Sequence, residues 1–150
     1  MTLRDWVQNG WLAEQQTTPD EISNLLRIAQ RDLSDSQTPG LSADWRLNIA
    51  YNAALQAATA ALAAQGYRAG REAHHLRVIH SLEHTIGASG SLITRLDYFR
   101  KKRNASGYEL SGATSDQEAK EMLALARKLR DEVRTWLIAK HPELCGGDLA

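Results

Sequence analysis

The stretch Ala43-Asp44-Trp45-Arg46-Leu47-Asn48-Ile49-Ala50-Tyr51-Asn52-Ala53-Ala54-Leu55-Gln56-Ala57-Ala58-Thr59-Ala60-Ala61-Leu62-Ala63-Ala64-Gln65-Gly66 decides the fold. Ser42 stands in front of it as a cap, and Gly66 closes it as a residue free to turn left-handed. From Leu47 to Tyr67 no side chain carries a charge, a run that reaches bilayer-spanning length. Asn48, Asn52, Gln56, Thr59 and Gln65 interrupt it, however, and alanine rather than leucine fills it. Amides without partners are costly in hydrocarbon. The stretch therefore reads as the buried helix of a helical bundle, with side chains small enough for neighbouring helices to come close. Asn48, Asn52, Gln56 and Thr59 recur on one narrow stripe at helical spacing. That stripe is either an interhelical hydrogen-bonding seam or the polar wall of a cleft.

Helical signals continue on both sides. Thr18 caps a helix predicted over residues 19 to 36, with Pro19 at the first position and Asp20 and Glu21 where the helix dipole favours acids. Its inward residues are Ile22, Leu25, Leu26, Ile28, Ala29 and Leu33, and Pro39-Gly40 then breaks the chain. A shorter helix is predicted from Arg71 to Ile86, and another from Ser91 after Gly87-Ala88-Ser89-Gly90. Ser115 and Glu118 form a capping box for the last helix, which buries Met122, Leu125, Leu129, Val133, Trp136 and Leu137 and stops at His141-Pro142. Thr2 and Asp5 cap a first helix predicted to run to about Gln16. All three prolines lie outside the periodic segments and almost no strand signal is present. The expectation is an all-α fold, an antiparallel four-helix up-and-down bundle with one or two short accessory helices. One domain over 1–150 is expected, its core at about 19–140, an accessory helix in 1–18 and a tail at 142–150.

With 150 residues, 43% of them hydrophobic, the chain can bury one sizeable core. Eighteen Lys and Arg balance eighteen Asp and Glu, so the molecule as a whole does not attract nucleic acid or anionic membrane, and a local patch must hold any such partner. The single cysteine, Cys145, rules out an internal disulfide framework and fits a reducing compartment. The N-terminus lacks the charged-then-apolar pattern of a leader, so a cytoplasmic protein with no membrane partner is expected. There is no glycine-rich phosphate loop, serine nucleophile elbow or usefully spaced His-Cys pair, and most enzyme classes lose their support.

The local patch is Arg100-Lys101-Lys102-Arg103-Asn104-Ala105-Ser106-Gly107-Tyr108. On the helix from Ser91, Leu92, Leu96 and Phe99 share one face, and Arg103 falls on that face where the pattern asks for leucine. A buried guanidinium without partners is costly, so Arg103 must meet an acid, a hydrogen-bond network or a water-filled cleft. Asp97, Arg100 and Asn104 occupy the adjacent stripe, and Tyr108 joins them if the helix survives Ser106-Gly107. An arginine fork suits phosphate, an amide orients an oxygen, and a phenol donates a hydrogen bond or stacks on a base. Arg103, Asn104 and Tyr108 are thus the candidate catalytic residues. Arg95, Arg100, Lys101 and Lys102 are candidates for binding RNA or phosphate, and Asn48, Asn52 and Asp97 for lining the cleft. The plainer alternative is a solvated basic helix end favoured by the helix dipole. His80 and His84 stand four apart, with His74-His75 upstream, but no second ligand pair, nearby cysteine or HExxH frame accompanies them. No metal and no cofactor is expected.

The segment Asp97–Tyr108 resembles the HEPN superfamily, all-helical proteins of prokaryotic toxin–antitoxin and defence systems. The likeness lies in Arg103-Asn104, which is similar to the arginine and polar residue that open the family's motif. Tyr51-Asn52-Ala53-Ala54 and Gly66-Tyr67-Arg68 add to it, resembling small HEPN proteins of actinobacterial type. The resemblance spans roughly residues 19 to 140. It implies a homodimer whose paired motifs line one cleft, metal-independent endoribonuclease activity, and a cognate antitoxin or nucleotidyltransferase as partner. The family's histidine follows about four to six residues after the arginine, and here four intervening residues lead to Tyr108. A phenol titrating near about 10 is a poor base at neutrality, where imidazole near about 6.5 suits the task. The alternative implied is a non-catalytic module that binds RNA, a nucleotide or a partner protein.

Overall fold

The uncharged stretch forms α3 (Ala43–Ala64), started by the Ser42 hydroxyl, which accepts the Trp45 N–H at 3.1 Å, and ended at Gly66 with φ +93°. The structure is a computed structural model that describes residues 1–108 and 112–146, and of residues 105–108 the helical backbone only. Alanine lets α3 sit at the centre. Ala53, Ala57, Ala60 and Ala61 are wholly buried, and α2 (Pro19–Asp35) and α6 (Asp116–Lys140) pack along it more extensively than any other elements. The other sides of α3 receive α5 (Gly90–Tyr108) and the short α4 (His74–His80).

Cap chemistry sets the starts of the helices as their residues require. The Thr18 hydroxyl accepts the Glu21 N–H above Pro19, and Ser115 and Glu118 form a reciprocal capping box at α6. The Ser89 hydroxyl accepts the Leu92 N–H at 3.2 Å, so α5 opens at Gly90, one residue before the predicted start. The loop between α5 and α6 is tied back to α3, because the Asp44 carboxylate accepts the N–H groups of Gly112 and Thr114 at 2.7 and 3.1 Å. Ile22, Leu47, Leu62, Leu96, Phe99, Met122, Leu129 and Leu137 lie among the fully buried residues that join the helices into one core.

The molecule is mostly helical, with 71% of residues in helix, but two segments depart from expectation. The first helix, α1 (Leu3–Gln8), ends well short of Gln16. Gly10 adopts φ +79°, and the chain turns into β1 (Leu12–Glu14), which pairs antiparallel with β2 (Tyr67–Ala69), Leu12 opposite Ala69. Three-residue strands are too short to carry a period, and this pairing joins segments far apart in sequence, so only the folded chain reveals it. Trp6 and Trp11 meet edge-to-face at 5.7 Å, and Leu3, Trp6 and Leu12 are buried.

The second departure lies at residues 71–86. Ala73 takes a left-handed conformation (φ 52°) immediately before α4. After His80 the chain tightens into a 3-10 turn, Ser81–Glu83, with the buried Ser81 hydroxyl donating to the Val78 carbonyl at 2.7 Å. Among the described helices none is long and apolar enough to cross a membrane.

Candidate functional site

A groove of about 360 Å³ opens between α2, α3 and the far end of α5. Arg31 and Asp32 come from α2, Trp45, Asn48, Ile49 and Asn52 from α3, and Arg103 from α5. Asp32 is only 6% exposed, although it is a carboxylate on the apolar side of an amphipathic helix. Its Oδ2 accepts the Asn52 side-chain N–H at 2.6 Å, its Oδ1 pairs with Arg31 at 3.1 Å, and the Asn52 oxygen accepts from Gln56 at 3.3 Å. Asn48 donates to the Asp44 carbonyl at 2.8 Å and Thr59 to the Leu55 carbonyl at 2.7 Å. The polar stripe of α3 is therefore both things at once. Asn48 and Asn52 line the groove, while Asn52 and Gln56 also form a seam to α2, and Thr59 turns back onto its own helix.

Arg103 continues the face of Leu92, Leu96 and Phe99 to the point where α5 meets Tyr51. Its guanidinium lies 5.6 Å from the centre of the Tyr51 ring, and its hydrogen bond to the Asn104 side-chain oxygen is long, at 3.5 Å. Among the described residues no carboxylate pairs with it.

The other cations of the cluster are engaged elsewhere. Arg95 pairs with Glu121 and lies over the Tyr98 and Phe99 rings at 4.5 and 4.8 Å. The Lys102 ammonium is 3.5 Å from Glu118, which also accepts the Tyr98 hydroxyl at 2.6 Å. Arg100 and Lys101 both turn to Asp97, at 2.8 and 3.4 Å. Burial pushes the Asp97 carboxyl up, but those two cations outweigh it and hold it below the ordinary range. Asp97 is accordingly not one of the groove's lining residues. Asn104 is exposed, and the side chain of Tyr108 lies outside the described residues.

Two residues that the sequence did not mark as site residues complete the neighbourhood. Tyr51 is 2% exposed, and its hydroxyl lies 3.2 Å from His75 Nδ1 on α4, the rings 5.8 Å apart. Burial lowers the pKa of His75, and the positive charges of Arg103, His74 and Arg100 lower it further, so the imidazole is neutral at neutral pH. Burial likewise drives the Tyr51 phenol upward, keeping it protonated. A tyrosine inside the uncharged, alanine-filled run from Leu47 was the available signal for Tyr51. For Asp32 it was an acid three residues beyond Ala29 on an apolar face. Nothing local marked His75.

His80 is exposed at the end of α4, whereas His84 lies beyond the 3-10 turn and packs edge-on against Trp6 at 5.4 Å, so these two do not share a helix face. His74 Nδ1 is 3.1 Å from the Gly70 carbonyl oxygen. Among the described residues no group of three or more His, Cys, Asp or Glu is placed to hold a metal ion. Burial raises the pKa of the Cys145 thiol, which donates to the His141 carbonyl. No protein-family model matches the chain, and no curated protein matches it.

Proposed function

We propose that the chain is a HEPN-like module that binds single-stranded RNA in the groove at Arg103 and cuts it without a metal ion. In this reading α2, α3, α5 and α6 are the four helices of an up-and-down bundle, and α1 and α4 are accessory. The observation that carries it is Arg103. It alone of the five cations from Arg95 to Arg103 faces the groove, and it is the one for which no described carboxylate serves as partner. A phosphodiester is the ligand that a guanidinium fork matches. Trp45, 61% exposed and lining the groove, offers a stacking surface for a base, and the Asn48 and Asn52 amides line the same groove. The neutral total charge fits short-range contact with a few phosphates rather than long-range attraction.

A second copy would close the open side of the groove, as the resemblance implies, and a cognate antitoxin or nucleotidyltransferase is the protein partner that goes with this reading. Tyr108 at the position of the family's histidine favours a second reading, a module that binds RNA, a nucleotide or a partner protein without cutting it.

The binding claim is tested by fluorescence anisotropy with a labelled oligoribonucleotide. Arg103→Ala should weaken binding tenfold or more, Trp45→Ala should cost about 1–3 kcal/mol, and the affinity should fall with salt at a slope of about −0.7 per phosphate engaged. Absence of binding, or binding indifferent to Arg103→Ala, overturns it. Cleavage that persists in EDTA separates the enzyme from the non-catalytic module.

A further inference from the structure

We infer that His75, held by Tyr51, is the proton acceptor of this RNA site, supplied from α4 rather than from the helix that carries Arg103. The inference rests on the groove being an RNA site. Its basis is the chain of contacts across Tyr51. The Arg103 guanidinium lies over the ring at 5.6 Å, and the hydroxyl meets His75 Nδ1 at 3.2 Å. A buried, fully packed Tyr51 thus fixes an imidazole relative to a guanidinium that has no carboxylate partner among the described residues. Arg103 belongs both to this trio and to the groove.

The groups that face His75 favour its neutral form. Tyr51 comes from α3, Arg100 and Arg103 from α5, and His74 from its own helix, while Asp97 on α5 acts on Tyr51 and is held by Arg100 and Lys101. No carboxylate is among the groups acting on the imidazole. In the tautomer proposed, Nδ1–H is donated to the Tyr51 oxygen at 3.2 Å, which leaves the Nε2 lone pair for substrate. Arg103 holds the non-bridging oxygens of the scissile phosphate. His75 Nε2 takes the proton of the adjacent ribose 2′-hydroxyl, and the 2′-oxygen bonds to phosphorus. The P–O5′ bond breaks, its electron pair leaves with the 5′-oxygen, and that oxygen takes a proton from water. His75 returns its proton to solvent. The products are a 2′,3′-cyclic phosphate and a 5′-hydroxyl, and no metal, oxidant or cosubstrate is consumed. Tyr51 is a positioning residue, since its hydroxyl acts through the imidazole.

The experiment uses the full chain and a 5′-labelled oligoribonucleotide, with an all-2′-deoxy copy as control, in EDTA. His75→Gln should bind RNA as the wild type does but cut it at least a hundredfold more slowly, a general base being worth about 10²–10⁴ in rate. The wild-type rate should rise with pH through an inflection below about 6.5. That inflection should coincide with the His75 pKa titrated by NMR, and Tyr51→Phe should move both together. Arg103→Ala should lose binding and raise the His75 pKa. Undiminished cleavage by His75→Gln, or an inflection that does not follow the His75 titration, overturns the role of His75 and leaves the RNA site standing. Wild-type protein that binds RNA without cutting it also removes that role. Absence of RNA binding removes both.

Discussion

Asp32 and Arg103 are the two charged residues placed where their helices ask for apolar ones, and the fold resolves them differently. Asp32 is buried and satisfied by Asn52 and Arg31, whereas Arg103 is left facing the groove. Asn52→Ala would leave one buried carboxylate oxygen unpaired, and urea denaturation should show a loss of about 1–3 kcal/mol. Asn48→Ala, which removes only a half-exposed bond to its own helix, should stay within about 0.5 kcal/mol. Glu118 gives a pH signature. The Ser115 backbone N–H, the Tyr98 hydroxyl and, more weakly, the Lys102 ammonium hold its carboxyl down to about 2 against an ordinary 4.5, despite the opposing effect of burial. A carboxyl lower in the folded than in the unfolded chain binds fewer protons when folded. Its stabilisation is therefore complete above about 4.5 and is lost as pH falls through about 2. Denaturant titrations between those values should give a shallower pH dependence for Glu118→Gln than for the wild type. At this scale Arg103 was legible, because one arginine interrupts a clean apolar face. His75 was not, because its significance lies in a neighbour on another helix.

The helices are legible to the extent that their signals are local. Thr18, Ser42 and Ser115 announce α2, α3 and α6 within a residue of where they begin, since a cap is a contact across only three positions. The reading failed at α1 and α4, where tertiary contacts outweigh helical propensity. β1 takes its hydrogen bonds from β2, and Arg77 on α4 stacks its guanidinium 3.7 Å from the centre of the Trp11 ring, beside the ribbon. The element that matters most is α3, whose value is its narrowness. Ala57 is fully buried among packed helices, so Ala57→Leu should cost about 1–3 kcal/mol by forcing them apart, read as a fall in thermal midpoint. A stability equal to that of the wild type would mean that the core has room and that alanine is not what sets the spacing.

The whole molecule carries no net charge, so attraction of an anionic partner has to be local, and the groove between α2, α3 and α5 holds a cation with no carboxylate partner among the described residues. If two copies share that groove, sedimentation equilibrium should return twice the 16.6 kDa of one chain, and a monomer at micromolar concentration would remove the shared cleft while leaving the role proposed for Arg103 to be filled within one copy. The sequence by itself determined that the chain is mostly helical, where its longest helices begin, and that one arginine is out of place, because caps, apolar periods and interruptions of a period are relations between residues a few positions apart. The tertiary structure alone decided that Asp32 and Asn52 line the groove together, that four of the five cations are occupied, that Leu12–Glu14 is a strand, and that Tyr51 meets both His75 and Arg103. Each of these depends on which distant segment packs against which, and that is decided by the burial of the whole core rather than by any one stretch of it.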